Sequence, residues 1–193
     1  MPPRHAILIL AVALLVSACA SSGSSPPPPA ERTVSVTHST LTFVPDTPPA
    51  EQSTIADAIS AFLRNLYRKG FVRPEPKGPT PAPDDAPLRA IASAFAPAAR
   101  PRLSGVFSLG PHVELLSGTV TYDGGVTRDG NVVTALLGIT FSGLGSRTGE
   151  GTPVVSFTQS GEMTLQRTET GWFVPAFDLK ITVKPPPPTP TPS

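Results

Sequence analysis

Apolar positions in the first half of the chain recur at helical spacing. Within residues 48–69 one stripe is formed by Ile55, Ile59, Phe62 and Leu66. A repeat of three or four residues is typical of an amphipathic helix. Thr47 is expected to cap its start, and Gly70 is expected to end it in the left-handed conformation.

A second, shorter helix is predicted after a proline-rich loop at residues 73–87. Asp84 or Asp85 is expected to cap it. Its apolar face consists of Leu88, Ile91 and Phe95. Further prolines break the pattern and leave room for one more turn, through Leu103.

The second half of the chain alternates between apolar and polar positions, which predicts strands. Four strands are expected, at residues 113–122, 132–141, 154–166 and 172–183. The breaks between them include Asp123-Gly124-Gly125, residues 128–131 and residues 143–152. Short connections join antiparallel neighbours. The pattern therefore predicts an α+β domain, with N-terminal helices packed on a long, curved, four-stranded antiparallel meander shaped like a cone.

The strand pattern also defines one apolar face of the sheet. The second of the four β-rich segments contributes Val133, Ala135, Leu137, Ile139 and Phe141. The third contributes Val155, Phe157, Gly161, Met163 and Leu165, and the fourth contributes Phe173, Phe177, Leu179, Ile181 and Val183. Glycine inside strands, as at Gly118, Gly138 and Gly161, favours bulges or strong curvature. Residues 33–44 alternate as well, so they are a possible short strand, an ordered arm or more linker.

The N-terminus has the layout of a secretory signal peptide. Arg4 is followed by an apolar run at residues 6–16 and by the small residues Ser17 and Ala18, which suits cleavage after residue 18. Eleven residues rise only about 16 Å as a helix, roughly half of the hydrocarbon core. This segment is therefore expected to direct export without spanning the membrane.

The residues Val16-Ser17-Ala18-Cys19 resemble the lipobox of bacterial lipoproteins. The resemblance implies that the Cys19 thiol receives a diacylglyceryl group with chains such as palmitate, and that the chain is cleaved before Cys19. The expected location is the extracytoplasmic face of a bacterial membrane, held there by lipid through the acyl chains. Cys19 is the single cysteine, so its lipidation leaves no thiol for a disulfide or a metal.

The prolines divide the remaining chain. Residues 19–47 are expected to hold the lipidated cysteine, a tether rich in proline and serine, and the possible strand. Residues 48–183 form the α+β domain, and residues 184–193 form a proline-rich tail. Tether and tail lack the composition for a packed core and are expected to be disordered, with polyproline II character.

Composition excludes some partners. The chain has 15 basic and 14 acidic residues, and removal of Arg4 with the signal leaves 14 of each. A neutral chain without a basic patch is not expected to bind nucleic acid.

Candidates for catalysis are few. The groups weighed for acid–base roles are His38, His112, Tyr67, Tyr122, Asp178, Glu114 and Glu162. Asp178, Glu114 and Glu162 fall on polar faces of predicted strands, where they are expected to be solvated. No cluster has the spacing of a metal site or a cofactor loop. The sequence therefore predicts no catalytic residue, no metal and no cofactor, and it leaves the ligand-binding residues unassigned.

Two stretches resemble the nuclear transport factor two-like, or ketosteroid-isomerase-like, fold in its secreted, mammalian-cell-entry-associated versions. They are Ser93-Ala94-Phe95-Ala96-Pro97-Ala98-Ala99-Arg100 and Thr164-Leu165-Gln166-Arg167-Thr168-Glu169-Thr170-Gly171-Trp172-Phe173-Val174. The resemblance implies a cone that holds a small apolar ligand or docks an envelope protein, without catalysis. The alternatives are an isomerase or dehydratase of this fold, with a base inside the cone, and a structural module for envelope assembly.

Overall fold

The computed structural model describes residues 32–71, 86–110, 112–147 and 151–184. Its strands are β1 (Thr33–Phe43), β2 (Val113–Asp129), β3 (Val132–Arg147), β4 (Pro153–Thr168) and β5 (Gly171–Lys184). Its helices are α1 (Pro49–Gly70), α2 (Ala86–Ala92) and a 3₁₀ turn (Arg100–Gly105). The predicted signal peptide, Cys19, the predicted tether, the caps expected at Asp84 and Asp85, and the tail after Lys184 lie outside the described residues.

The five strands form one open sheet in the order β1-β2-β3-β4-β5. The antiparallel meander from β2 to β5 is confirmed. The possible strand at residues 33–44 is also confirmed, so the sheet has five strands instead of the four predicted. β1 pairs parallel to β2, because the helices between them carry the chain back to the end where β1 began.

One predicted break does not occur, and another is shorter than predicted. β2 runs straight through Asp123-Gly124-Gly125, and β3 continues six residues beyond residue 141, to Arg147. Gly124 has φ +145°, and a Cβ there would lie 2.0 Å from the carbonyl oxygen of Leu136 on β3. Glycine at this point permits close approach of two backbones inside a strand, and it does not form a turn.

The core lies between α1 and one face of the sheet. The predicted inward positions of β3 are all buried: Val133, Ala135, Leu137, Ile139 and Phe141. Helix α1 buries Ile55, Ile59, Leu63 and Leu66 against them. Helix α2 adds Ile91, and Phe95 is buried beyond the end of α2, where it bridges to Val174. The strong alternation of β3 thus predicted its buried face correctly.

The inward face predicted for β5 holds from Phe177 onward, where Val183 lies opposite the buried Phe157 although it is 42% exposed. It is wrong at the start of the strand, where Val174 instead of Phe173 is fully buried. The pairing with β4 shifts between Thr164 and Gln166, where three steps of β5 oppose two steps of β4. An extra residue in one strand turns the following side chains to the other face.

The two ends of α1 also differ from the prediction. Thr47 does not cap the helix: Pro48 is the N-cap, without a side-chain hydrogen bond, and the Thr47 hydroxyl donates to the carbonyl of Val44 at 2.9 Å. Gly70 is not left-handed but the last residue of the helix. A Cβ on Gly70 would lie 2.8 Å from Cδ1 of Phe107, so glycine here provides room for an aromatic ring.

Candidate binding surface

The space between the helices and the sheet is filled by an aromatic core, formed by Tyr67, Phe71, Phe107, Phe141 and Phe157. Its ring centroids lie between 4.5 and 6.2 Å apart. These are contact distances for aromatic pairs. All five side chains are buried. The resemblance to a cone-shaped fold implied a ligand in the space between the helices and the sheet. Within the described residues, this space is filled by aromatic side chains.

One buried polar network crosses the aromatic core. The Tyr67 hydroxyl donates to Oε1 of Gln159 at 2.6 Å, and Nε2 of Gln159 donates to the carbonyl of Val106. Burial raises the pKa of Tyr67 far above its ordinary value, so this phenol stays neutral. The network ties α1, β4 and the segment after the 3₁₀ turn together, and the phenol is in use as a structural donor.

Tyr122 is the second tyrosine considered for catalysis. Its hydroxyl lies 2.9 Å from the Ser60 hydroxyl and donates to the carbonyl of Ala56 at 3.2 Å. Burial raises the pKa of Tyr122. The hydrogen bond with Ser60 lowers this pKa, and the nearby charge of Asp57 raises it. The ring of His38 lies 5.7 Å away, centroid to centroid. These contacts fasten β2 to α1, and Tyr122 faces no described pocket.

Of the three carboxylates considered for catalysis, Asp178 and Glu162 lie opposite each other on the side of the sheet away from α1, and Glu114 lies elsewhere. Glu114 was expected on a solvated face, but it is buried and paired with Arg32 at 2.7 Å. The pair links the residue before β1 to the start of β2. Asp178 is exposed as predicted, 3.6 Å from Arg102, and Glu162 is exposed opposite it on β4. His112 lies in the turn before β2 with φ +59°. The described structure does not bring these groups to one site.

A small crevice lies beside the start of α1. Its floor includes Phe43, Ile55, Val126 and Val133, and the ion pair between Glu51 and Arg128 borders it. Its volume is about 200 Å³, below the range of roughly 300–1,000 Å³ typical of small-molecule sites. The crevice is too small to replace the filled interior as a pocket for an apolar ligand of ordinary size.

The face of the sheet opposite α1, called the outer face below, carries cross-strand rows of hydroxyl groups. The first row runs across all five strands through Ser35, Thr119, Ser142, Thr158 and Thr182. The second row runs through Thr37, Thr121, Thr140 and Ser160, and ends at Lys180. Side chains directly opposite on neighbouring strands have Cβ atoms about 4.5–5.5 Å apart. The outer face therefore presents hydroxyls at regular intervals.

A trough of about 540 Å³ follows the first row at one end of the sheet. Besides glycines and Leu144, it is lined mainly by Thr33, Ser35, Ser117, Thr119, Ser142, Ser156, Thr158 and Lys184. Ser35 and Thr119 bond each other at 2.9 Å. The other hydroxyls of the lining make no side-chain hydrogen bond within the described ranges. Each hydroxyl offers one donor and two acceptor positions, so the trough holds many unused hydrogen-bonding groups.

The trough is bordered below by the aromatic core. A Cβ on Gly118 would lie 2.4 Å from Phe141, and one on Gly143 would lie 2.7 Å from Phe157. These rings fill the space that side chains at the two glycines would need on the inner face. The floor of the trough is therefore backbone supported by tightly packed rings, which hold in place the strands that carry the hydroxyls.

The lining of the trough carries little charge. Lys184 is its one charged residue. The acidic side chains of the outer face form a separate row, in which Asp123 and Glu162 flank Gly138 and Asp178 lies opposite Glu162. The second hydroxyl row separates them from the trough. The surface suits a neutral, hydrogen-bonding ligand better than a strongly charged one.

Sequence reasoning did not find the trough. Its signal was present in the spacing of Thr119 and Thr121, of Thr140 and Ser142, and of Thr158 and Ser160. In one strand such a pair indicates only a solvated face. The alignment of the pairs depends on the register of the strands, which the alternation does not specify.

Other kinds of site find no support in the part of the chain that the structure covers. No group of His, Cys, Asp and Glu side chains there is placed to hold a metal ion. None of the described helices is long and apolar enough to cross a membrane. Comparison with known proteins adds no relative: no protein-family model, no curated protein and no solved structure matches this chain.

Proposed function

We propose that this chain is a non-catalytic bacterial lipoprotein, exported and anchored through Cys19, that binds a neutral glycan of the cell envelope in the trough. The observation that carries the proposal is the alignment of hydroxyl groups from neighbouring strands, most of them without a side-chain partner in the described ranges, above a floor of packed rings. The lipobox at residues 16–19 supports the location. The volume of the trough lies within the range of ligand sites.

A glycan fits the chemistry of the lining. Sugar hydroxyls both donate and accept hydrogen bonds, as do the Ser and Thr side chains that line the trough. Protein interfaces are instead enriched in aromatic residues and depleted in Ser. The lining holds one aromatic residue, Phe157, which is buried. Binding through hydroxyls alone is expected to be weak, with a Kd near the millimolar range, and to gain strength from repeated sites along a polymer.

The packed interior favours glycan binding on the outer face over a ligand or a reaction inside the cone. A small apolar ligand or an isomerase reaction would need a cavity between the helices and the sheet, where the aromatic core is packed. The order of helices and meander supports a nuclear transport factor two-like cone as the finer description of the fold. The parallel β1 is an addition to that expectation.

A paired substitution tests the role of the trough. Ser142→Ala with Thr158→Val removes two hydroxyls that lie opposite each other in the first row. The affinity for insoluble cell-envelope glycan, measured by co-sedimentation, is expected to fall about tenfold, because two hydrogen bonds contribute about 0.5–1.5 kcal/mol each.

The matched control is Thr140→Val with Ser160→Ala. It changes the same residue types on the same two strands, one row outside the trough, and is expected to leave binding unchanged. Equal losses for the two pairs, or no binding by the unsubstituted chain, would contradict the proposal.

The anchor has its own test. With Cys19→Ser, the protein is expected to move from the membrane fraction to the soluble extracytoplasmic fraction, because no thiol remains to receive the acyl chains. Metabolic labelling with a palmitate analogue should mark the unsubstituted chain and not the variant. Labelling that persists in Cys19→Ser would show that the anchor is elsewhere.

A further inference from the structure

Strand β1 forms an open edge of the sheet. Within the described residues it pairs only with β2, so its other side presents backbone donors and acceptors. Residues 33–43 contain no Lys, Arg, Asp, Glu or Pro, which are the residues that commonly protect an edge from pairing. The opposite edge strand β5 carries Pro175, Asp178 and Lys180, and its Val174 exchanges backbone hydrogen bonds with Ala94 and Ala96. β1 is thus the unprotected edge.

The straight part of β1 has a symmetric sequence. Thr33-Val34-Ser35-Val36-Thr37 reads the same in both directions. The valines face the core side and the hydroxyl residues face the outer side. A two-fold axis through Ser35 would place Thr33 opposite Thr37, and Val34 opposite Val36. Such self-complementarity is what an isologous contact between two copies requires.

We propose that a second copy of this chain pairs with β1, antiparallel and centred on Ser35. The pairing extends the sheet to ten strands and keeps apolar residues opposite apolar ones and hydroxyls opposite hydroxyls. The register shift between His38 and Leu41 bends the edge beyond His38, so the contact is limited to the symmetric segment, residues 33–37. No charged side chain lies in the paired segment.

The dimer would enlarge the hydroxyl surface. The first row, which ends at Ser35 in one copy, would continue through Ser35 of the second copy to its Thr119, Ser142 and Thr158. A contact of five residues from each strand is small compared with the roughly 1,200–2,000 Å² of stable interfaces. The dimer is therefore expected to be weak in solution and favoured where anchors concentrate the chains on one surface.

Disulfide trapping tests the register. The chain from residue 19 onward, with Ser in place of Cys19, retains the whole core between Val34 and Leu179. Ser35→Cys in this background is expected to form a covalent dimer on mild oxidation, because opposite side chains have nearly the Cβ separation of a disulfide. Thr37→Cys alone is expected not to link, because its two copies would lie about 13 Å apart along the strands.

A mixture of Thr33→Cys and Thr37→Cys chains is expected to form mixed dimers. Thr121→Cys, beside Thr37 but in the interior of the sheet, is the control for random collisions. Self-linking of Thr37→Cys at the rate of Ser35→Cys, or no more linking by Ser35→Cys than by Thr121→Cys, would overturn the proposal.

A charge at the axis gives an independent measurement. Ser35→Lys places two like charges opposite each other, so sedimentation equilibrium is expected to show only monomer. Thr119→Lys loses the same hydrogen bond between Ser35 and Thr119 but lies away from the edge, and it should dimerise as the unsubstituted chain does. A purely monomeric unsubstituted chain at high concentration would overturn the proposal. Glycan binding is tested independently, by the substitutions at Ser142 and Thr158.

Discussion

Gly161→Ala is expected to prevent folding of the domain or to lower its free energy of unfolding by more than about 4 kcal/mol, an exceptional loss for one methyl group. Gly161 lies inside β4 with φ +144°, and a Cβ would stand 2.0 Å from the carbonyl oxygen of Asp178 on β5. Backbone of a paired strand cannot move aside as a side chain can. Urea unfolding followed by circular dichroism measures the loss.

Gly171→Ala is the control that separates the steric clash at position 161 from the cost of a positive φ alone. Gly171 has φ +123°, but a Cβ there would meet nothing within 4 Å. Its expected cost is therefore that of an unfavourable φ alone, about 1–3 kcal/mol. If the two variants lost the same stability, contact with Asp178 would not be the reason for glycine at position 161.

These glycines show which features of the strands the alternation of apolar and polar residues could predict. It placed Gly161 on the inner face of a strand and predicted that Gly118, Gly138 and Gly161 would permit irregular backbone. The positive φ of Gly161 bears this out. The function of Gly118 was not predictable, because it is to leave room for the ring of Phe141 on the neighbouring strand. Such reasons depend on pairs of residues that only the folded register brings together.

The same limit explains the other differences. The long helix and the antiparallel meander follow from local periodicity, which is strong in α1 and β3. The parallel pairing of β1, the bulge in β5 and the burial of Glu114 by Arg32 depend on contacts between distant segments. The trough belongs to this second group, since each of its strands alone has only a polar face.

Gln159→Leu is expected to lower the free energy of unfolding by about 2–4 kcal/mol, although it makes a buried position more hydrophobic. Gln159 is fully buried among apolar side chains. Its amide accepts from Tyr67 and donates to the carbonyl of Val106. Leucine would leave both groups without their partner, and an unsatisfied buried group costs about 1–3 kcal/mol. The midpoint of urea unfolding, at unchanged slope, measures the loss.

Tyr67→Phe completes the argument through a double-mutant cycle. Alone it should cost about 1–3 kcal/mol, because Oε1 of Gln159 loses its donor. Combined with Gln159→Leu it should cost less than the two single losses together, since only the Val106 carbonyl then remains unpaired. Additive losses would mean that the two side chains do not depend on each other. Gln159 lies between Thr158 and Ser160 on β4, so coupling would show that the network which holds α1 also fixes the strand from which both hydroxyl rows project.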